Sequence, residues 1–96
     1  MHAYVINLKR RIDRRLAISR QLEALGISIS WIEAVDGSTP TFRKNYHPEI
    51  IRTSLYPNEY ACYLSHIATW QAVADGPHDH ALVLEDDAQL CDDFST

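Results

Sequence analysis

The sequence predicts an α/β domain built on a small parallel sheet of about three strands with two main helices. Three short apolar stretches, at residues 3–8, 27–32 and 81–84, are separated by segments in which apolar residues recur at helical spacing. Strands that alternate with helices usually pair in parallel through right-handed crossovers, and the helices then cover both faces of the sheet. The 96 residues, 46% of them hydrophobic and 23% charged, suit one small globular domain.

The first strand–helix–strand unit is the clearest in the sequence. Aromatic and β-branched side chains give residues 3–8 a strong β propensity. The helix that follows is predicted to begin at Asp13, a residue type that caps helices well, and to end at Gly26. Residues 27–32 then form the second strand, parallel to the first. The apolar stripe of the helix consists of Leu16 or Ile18, Leu22 and Leu25.

The middle of the chain contains a turn, a long connection and the second main helix. The Asp-Gly pair at residues 36–37 predicts a turn directly after the second strand. Residues 41–56 show little periodicity and are predicted to form a loop with one short turn of helix, a length typical of functional or mobile connections. Asn58 is predicted to cap a helix over residues 59–74, which a Gly-Pro pair ends.

Three carboxylates, Glu85, Asp86 and Asp87, directly follow the third apolar stretch. Residues 81–84 are predicted to form a strand buried on both faces, whereas ionised carboxylates are too costly to bury without compensation. The acids are therefore expected at the carboxyl end of the strand, the edge at which open α/β sheets bind ligands. Such a cluster suits a hard divalent cation that holds a phosphate-bearing ligand.

The predicted strand order places the first strand between the second and the third, by analogy with doubly wound sheets. Asn7, Lys9 and Arg10 then lie beside the acidic cluster, although they are far from it along the chain. Basic residues crowd the start of the chain and acidic residues its end, and the net charge is −4. Opposed clusters that flank one crevice suit a ligand carrying phosphate and metal, and the mixed charge argues against nucleic acid as a partner.

Hydropathy and cysteine content indicate the expected compartment. No apolar run approaches the roughly 20 residues of a membrane span, and the N-terminus lacks the apolar stretch of a signal peptide. We therefore expect a cytoplasmic protein, and peripheral association at the inner face of the membrane stays open. Cys62 and Cys91 do not have the spacing of metal ligands and are expected to be reduced thiols.

Four motifs, in this order, resemble glycosyltransferase family 25, which includes bacterial lipooligosaccharide and lipopolysaccharide galactosyltransferases and the collagen galactosyltransferases. The first is Tyr-Val-Ile-Asn-Leu at residues 4–8, followed by Arg10, Arg11, Asp13 and Arg14, and the second is Ala-Val-Asp-Gly at 34–37. The third is Glu-Tyr-Ala-Cys-Tyr-Leu-Ser-His-Ile at 59–67, and the fourth is Leu-Val-Leu-Glu-Asp-Asp-Ala at 82–88. Together they cover nearly the whole chain.

The resemblance implies a GT-A-like fold, here its Rossmann-like, three-layer nucleotide-binding half. It also implies transfer of a hexose, usually galactose, from a UDP-sugar donor to a lipopolysaccharide or other glycan acceptor, including lipid-linked oligosaccharides. The acidic trio looks like the family's counterpart of the DxD motif, whose carboxylates hold Mn²⁺ (or Mg²⁺) against the donor diphosphate. Asp87 is the expected direct ligand, with Glu85 or Asp86 acting through water or on the ribose. No catalytic residue is implied. The implied donor-binding residues are Asn7, Arg10, Arg14, Asp36, Ser65 and His66.

Plainer interpretations stay open for several of these residues. Acidic turns and arginine-rich helix faces are often merely solvated, and His66, one helical turn from Cys62, would more often be packed than bound to metal. Ser65 more often bonds to helix backbone than acts as a nucleophile, and Trp31 and Trp70 are expected in the core. A phosphoacceptor pocket is disfavoured, because in receiver domains the paired acids follow the first strand.

Chain length bears on activity. A complete domain of this family is expected to be roughly twice as long or more. Residues 1–96 are therefore predicted to be a single partial domain, the N-terminal donor-binding portion of a glycosyltransferase, and to be inactive alone. The alternative is a non-catalytic nucleotide-binding or interaction module that has kept the fold.

Overall fold

A computed structural model describes residues 1–87, in which strands and helices alternate along the chain. The three strands form one parallel sheet in the order β2–β1–β3, as the sequence predicts. No helix within residues 1–87 combines the length and hydropathy that a membrane span requires. The elements are β1 (His2–Asn7), α1 (Ile12–Ala24), β2 (Ser28–Glu33), α2 (Pro40–Lys44), α3 (Pro48–Ile51), α4 (Pro57–Asp75) and β3 (Leu82–Glu85).

β1 is the central strand, and its alternate side chains point to opposite faces of the sheet. Ala3 and Val5 pack with Ile18 and Leu22 of α1 in the hydrophobic core. Tyr4 points to the other face, where its hydroxyl lies close to the glycine that ends α4. α1 and α4 therefore cover opposite faces, which gives the predicted three-layer α/β arrangement.

The predicted start of α1 is wrong and its predicted end is correct. The N-cap is Arg11, without a side-chain cap, and Asp13 lies in the first turn. A hydrogen bond from Arg11 to Asp13 lowers the pKa of that carboxyl to about 2. At the other end Gly26 has a φ of 70°, a conformation that favours glycine, and the Ile27 amide donates to the Leu22 carbonyl (3.0 Å).

The connection predicted as a loop with one helical turn contains two short helices, α2 and α3. The Thr39 hydroxyl accepts a hydrogen bond from the Phe42 amide (3.2 Å) and so caps α2. Each helix begins with a proline, whose fixed φ suits the first helical position. The Tyr46 hydroxyl donates to the Leu55 carbonyl and ties the two ends of this segment together.

α4 begins one residue before the predicted cap. Its first residue is Pro57, so Asn58 is inside the helix, and the Glu59 carboxylate accepts from the Tyr56 amide (2.9 Å). Trp70 was predicted to be buried, which is wrong, because it is 58% exposed. Trp31 is half-buried and its ring lies 4.3 Å from the guanidinium carbon of Arg15.

β3 is an edge strand, paired only with β1 within residues 1–87. The prediction that it is buried on both faces is wrong: its apolar residues are half-buried and Glu85 is exposed. A strand with one neighbour and sparse helix cover keeps part of its surface in water. The prediction for Cys91 falls outside the described residues.

The core between α1 and the sheet supplies a stability prediction. Ile18 is fully buried in it, whereas Ile12, on the same helix, is 65% exposed. We expect Ile18→Val to lower the free energy of unfolding by about 0.5–1.5 kcal/mol, since it leaves a cavity, and Ile12→Val by less than about 0.5 kcal/mol. Urea unfolding followed by circular dichroism measures both, and equal losses would contradict the packing described.

Candidate functional site

A cleft of about 300 Å³ lies where the carboxyl ends of the three strands meet the N-terminal half of α4. Its volume is at the lower end of the range for small-molecule sites, roughly 300–1,000 Å³. This is the switch point at which neighbouring connections leave in opposite directions. The polar and charged residues that line it are Arg10, Arg14, Asp36, Ser38, Asn58, Cys62, Ser65, Glu85, Asp86 and Asp87.

The alternation of side chains along β3 divides the acidic cluster between the two faces of the sheet. Glu85 is paired in register with Ile6 and its side chain meets α4. Asp86, one residue later, turns to the opposite face, where the start of α1 lies. The consecutive carboxylates therefore have different surroundings.

Asp86 is buried and its two oxygens face different donors. The Asn7 side-chain amide donates to Oδ2 (2.8 Å), and Nη1 of Arg14 lies 3.6 Å from Oδ1. The same amide of Asn7 also donates to the Arg11 carbonyl (3.2 Å). The predicted meeting of Asn7 with the acidic cluster is confirmed, and it compensates the burial of the carboxylate.

Glu85 faces two residues of α4. Its Oε1 accepts a hydrogen bond from the Cys62 thiol (3.4 Å) and lies 3.6 Å from Nε2 of His66. Burial, and then the hydrogen bond to Glu85, raise the pKa of the Cys62 thiol. Asp87 is exposed and lines the cleft.

Opposite the acids, Arg10 and Asp36 form an ion pair on the β2 side of the cleft, with Nε 2.8 Å from Oδ2. The hydrogen bond from Arg10, followed by those from the Ser38 hydroxyl and amide, holds the pKa of Asp36 well below its ordinary range. Both Asp36 and Arg10 line the cleft as predicted.

Ser65 joins the end of β2 to α4. Its buried hydroxyl donates to the Ala61 carbonyl (2.9 Å) and accepts from the Val35 amide (2.8 Å). The expected bond to helix backbone is present, and the hydroxyl is fully engaged in holding the cleft wall. Nearby, Gly37 approaches α4 so closely that a Cβ would stand 2.7 Å from the Pro57 carbonyl oxygen.

The whole chain, residues 1–96, matches the family model described as glycosyltransferase family 25 (LPS biosynthesis protein). The chain belongs to glycosyltransferase family 25. This match confirms the family resemblance that the four sequence motifs indicate.

Curated proteins of the family are similar over most of this family 25 chain. Procollagen galactosyltransferase 2 of Mus musculus and that of Homo sapiens are each 34% identical over 101 residues, which cover 91% of this chain. A glycosyltransferase 25 family member of Anopheles gambiae is 32% identical over 99 residues, 93% of this chain. The chain spans only 16–17% of the length of these relatives. No solved structure matches it.

The family 25 cleft does not include every residue predicted for it. Among residues 1–87, Asn7 supports Asp86 from behind and does not line the cleft, and His66 lies beside Glu85 at its rim. Lys9 lines a separate small hollow together with Arg15 and Trp31. The roles of the predicted residues in donor binding stay predictions.

A metal assigned to Glu85, Asp86 and Asp87 also stays a prediction. Within residues 1–87, the histidine, cysteine and carboxylate side chains converge as a trio only at Cys62, His66 and Glu85, whose ligand atoms lie within 4.8 Å of one another. Sequence reasoning noticed the Cys62–His66 spacing but could not know that Glu85 faces it. It also missed the close approach of Gly37, which only the packed helix reveals.

The Arg10–Asp36 pair gives the family 25 cleft a pH-dependent element. In the unfolded chain the Asp36 carboxyl has the ordinary aspartate pKa of about 3.9, and folding lowers this pKa. The pair therefore contributes stability above the unfolded pKa, and the contribution is lost as the pH falls further. Both groups are partly exposed, so the contribution is small.

We expect Arg10→Gln to raise the pKa of Asp36 towards its ordinary value, because the largest cause of the lowering is removed. The pKa should stay below that value, since Ser38 still donates to the carboxylate. Carbon-13 NMR of the Asp36 carboxyl measures the change. Arg43→Gln on α2 is the matched control, and an equal shift in both variants would contradict the pairing.

Proposed function

We propose that this chain is the donor-binding part of a galactosyltransferase, which transfers galactose from a UDP-sugar to a glycan acceptor. One observation carries the proposal: Arg10 and Arg14, which follow β1 along the chain, and the carboxylates at the end of β3 line a single cleft at the carboxyl ends of parallel strands. The similarity to two procollagen galactosyltransferases supports galactose as the transferred sugar. The cytoplasmic location predicted from the sequence is part of this proposal.

Arg10 and Arg14 are proposed to bind the donor diphosphate. Within residues 1–87, Arg10 contacts Asp36 through Nε (2.8 Å), and its two terminal nitrogens are proposed to bind phosphate oxygens. Arg14 lies 3.6 Å from Asp86 and is 40% exposed, which leaves N–H groups directed to the cleft it lines. Their carboxylate partners hold both guanidinium groups in place before a ligand enters.

Asp87, with Asp86 behind it, is proposed to hold the divalent cation. The donor set fits a hard ion, because Asp87 offers an exposed carboxylate and such ions prefer oxygen ligands. Asp86 is oriented by Asn7 and is already compensated, which favours contact through water. A bound Mn²⁺ or Mg²⁺ supplies Lewis-acid stabilisation of the negative charge on the departing diphosphate.

The acceptor side is proposed to be a larger hollow of about 600 Å³ beside the cleft. It shares Val35 and Asp36 with the donor cleft and is walled by α2, α3 and the start of α4. Its rings, Phe42, Tyr46 and Tyr60, offer apolar faces with a polar tip, which suit the mixed surface of a sugar. A lipopolysaccharide-type glycan and a protein-linked glycan both remain within this proposal.

Calorimetric titration of the chain with UDP, with and without Mn²⁺, tests the donor site. We expect removal of Mn²⁺ by a chelator, or Asp87→Asn, to weaken UDP binding at least about tenfold, which is about 1.4 kcal/mol. Asp79→Asn, an exposed aspartate that does not line the cleft, is the matched control and should change the affinity less than about twofold.

The result that would overturn the proposal is absence of UDP binding at millimolar concentration, or binding that chelation leaves unchanged. Competition by UDP-galactose separates a donor site from a site for the nucleotide alone. If UDP binds and UDP-galactose does not compete, the chain is a nucleotide-binding module and the proposed transfer is wrong.

A further inference from the structure

We infer that Cys62, His66 and Glu85 form a binding site for a transition-metal ion of the Zn²⁺ class. The site is distinct from the hard-cation position proposed at Asp87, and it requires no nucleotide. It joins α4 to the end of the edge strand β3, at the rim of the cleft.

The spacing of the three ligand atoms fits tetrahedral coordination. Oε1 of Glu85 lies 3.4 Å from Sγ of Cys62 and 3.6 Å from Nε2 of His66, and all three atoms lie within 4.8 Å of one another. Metal–ligand bonds of about 2.3 Å to sulfur and about 2.0–2.1 Å to nitrogen and oxygen place tetrahedral ligands about 3.3–3.6 Å apart. The side chains therefore need only small adjustments to surround an ion.

The backbone explains why these three residues meet. Cys62 and His66 are separated by one turn of α4, so their side chains lie one above the other on one helix face. Glu85 is the last residue of β3, and the alternation of the strand directs it to the face that α4 covers. The helix spacing and the strand alternation therefore bring the three side chains together.

The mixed donor set selects the class of metal. A thiolate and an imidazole favour Zn²⁺ or Co²⁺ over Mg²⁺ and Mn²⁺, which prefer oxygen ligands. Without metal, the Cys62 thiol donates a hydrogen bond to Glu85, and binding of the ion as a thiolate complex releases the thiol proton to solvent. Three protein ligands leave a fourth position for a water molecule.

Such an ion would strengthen the connection between the edge strand β3 and α4. β3 has one strand neighbour within residues 1–87, and the contacts of Glu85 with Cys62 and His66 connect it to α4. Because the ion binds the folded arrangement, it stabilises the fold by mass action. The cleft rim then depends on metal supply independently of the donor.

Titration of the reduced chain with Co²⁺ alone, followed by absorption spectroscopy, tests the inference. We expect a sulfur-to-cobalt charge-transfer band and visible bands of tetrahedral intensity at one equivalent, both displaced by one equivalent of Zn²⁺ and unaffected by millimolar Mg²⁺. Cys62→Ser should abolish the charge-transfer band and weaken Zn²⁺ binding at least about tenfold. Cys91→Ser, which leaves Cys62 as the remaining thiol, should keep the band.

Histidine and carboxylate variants complete the test. His66→Gln and Glu85→Gln should each weaken Zn²⁺ binding, whereas His80→Gln and Asp87→Asn should leave it unchanged. Zn²⁺ should raise the melting temperature of the unaltered chain and not that of Cys62→Ser. Octahedral, oxygen-type Co²⁺ spectra, or a thiolate band that survives Cys62→Ser and disappears in Cys91→Ser, would overturn the inference.

Separate substitutions are expected to abolish binding at the metal site and binding at the donor site independently. Asp87→Asn is expected to lose Mn²⁺-dependent UDP binding and to keep the cobalt spectrum, and Cys62→Ser is expected to do the reverse. Loss of both properties in either variant would contradict two separate sites.

Discussion

The hydrogen bond between Asn7 and Asp86 is the contact on which the arrangement of the cleft depends. A buried carboxylate is costly unless donors compensate it, and here the amide of Asn7 and the guanidinium of Arg14 face its two oxygens. The contact joins the ends of two parallel strands, β1 and β3, and continues their register. It also connects them to the first turn of α1, since the Asn7 amide reaches the Arg11 carbonyl.

The orientation of Asp86 determines what its neighbours do. With Asp86 turned towards α1, Glu85 faces α4 and Asp87 is left exposed at the cleft. Three consecutive acids, alike in the sequence, therefore have three environments: Glu85 faces a thiol and an imidazole, Asp86 is a compensated buried carboxylate, and Asp87 is an exposed carboxylate at the cleft. The division follows from the two-residue period of a strand and requires no special loop.

The sequence was sufficient for the topology and for the position of the cleft, because both follow from apolar periodicity and from the rules of parallel sheets. It was not sufficient for the helix starts at Ile12 and Pro57. There, other local contacts, the Arg11–Asp13 hydrogen bond and the bond of Glu59 to the Tyr56 amide, are present instead of the predicted caps. The exposure of Trp70 and the half-burial of β3 depend on how much surface the helices cover, which periodicity does not measure. The Cys62–Glu85 contact links distant parts of the chain, and only the folded structure brings them together.

A double-mutant cycle on the free energy of unfolding tests the Asn7–Asp86 contact most directly. Asn7→Ala, Asp86→Ala and the double variant are compared by urea unfolding at pH 7. A charge-assisted, buried hydrogen bond predicts a coupling of about 1 kcal/mol or more between the two substitutions. Effects that add within about 0.3 kcal/mol, the behaviour of independent sites, would contradict the account of how the cleft is held.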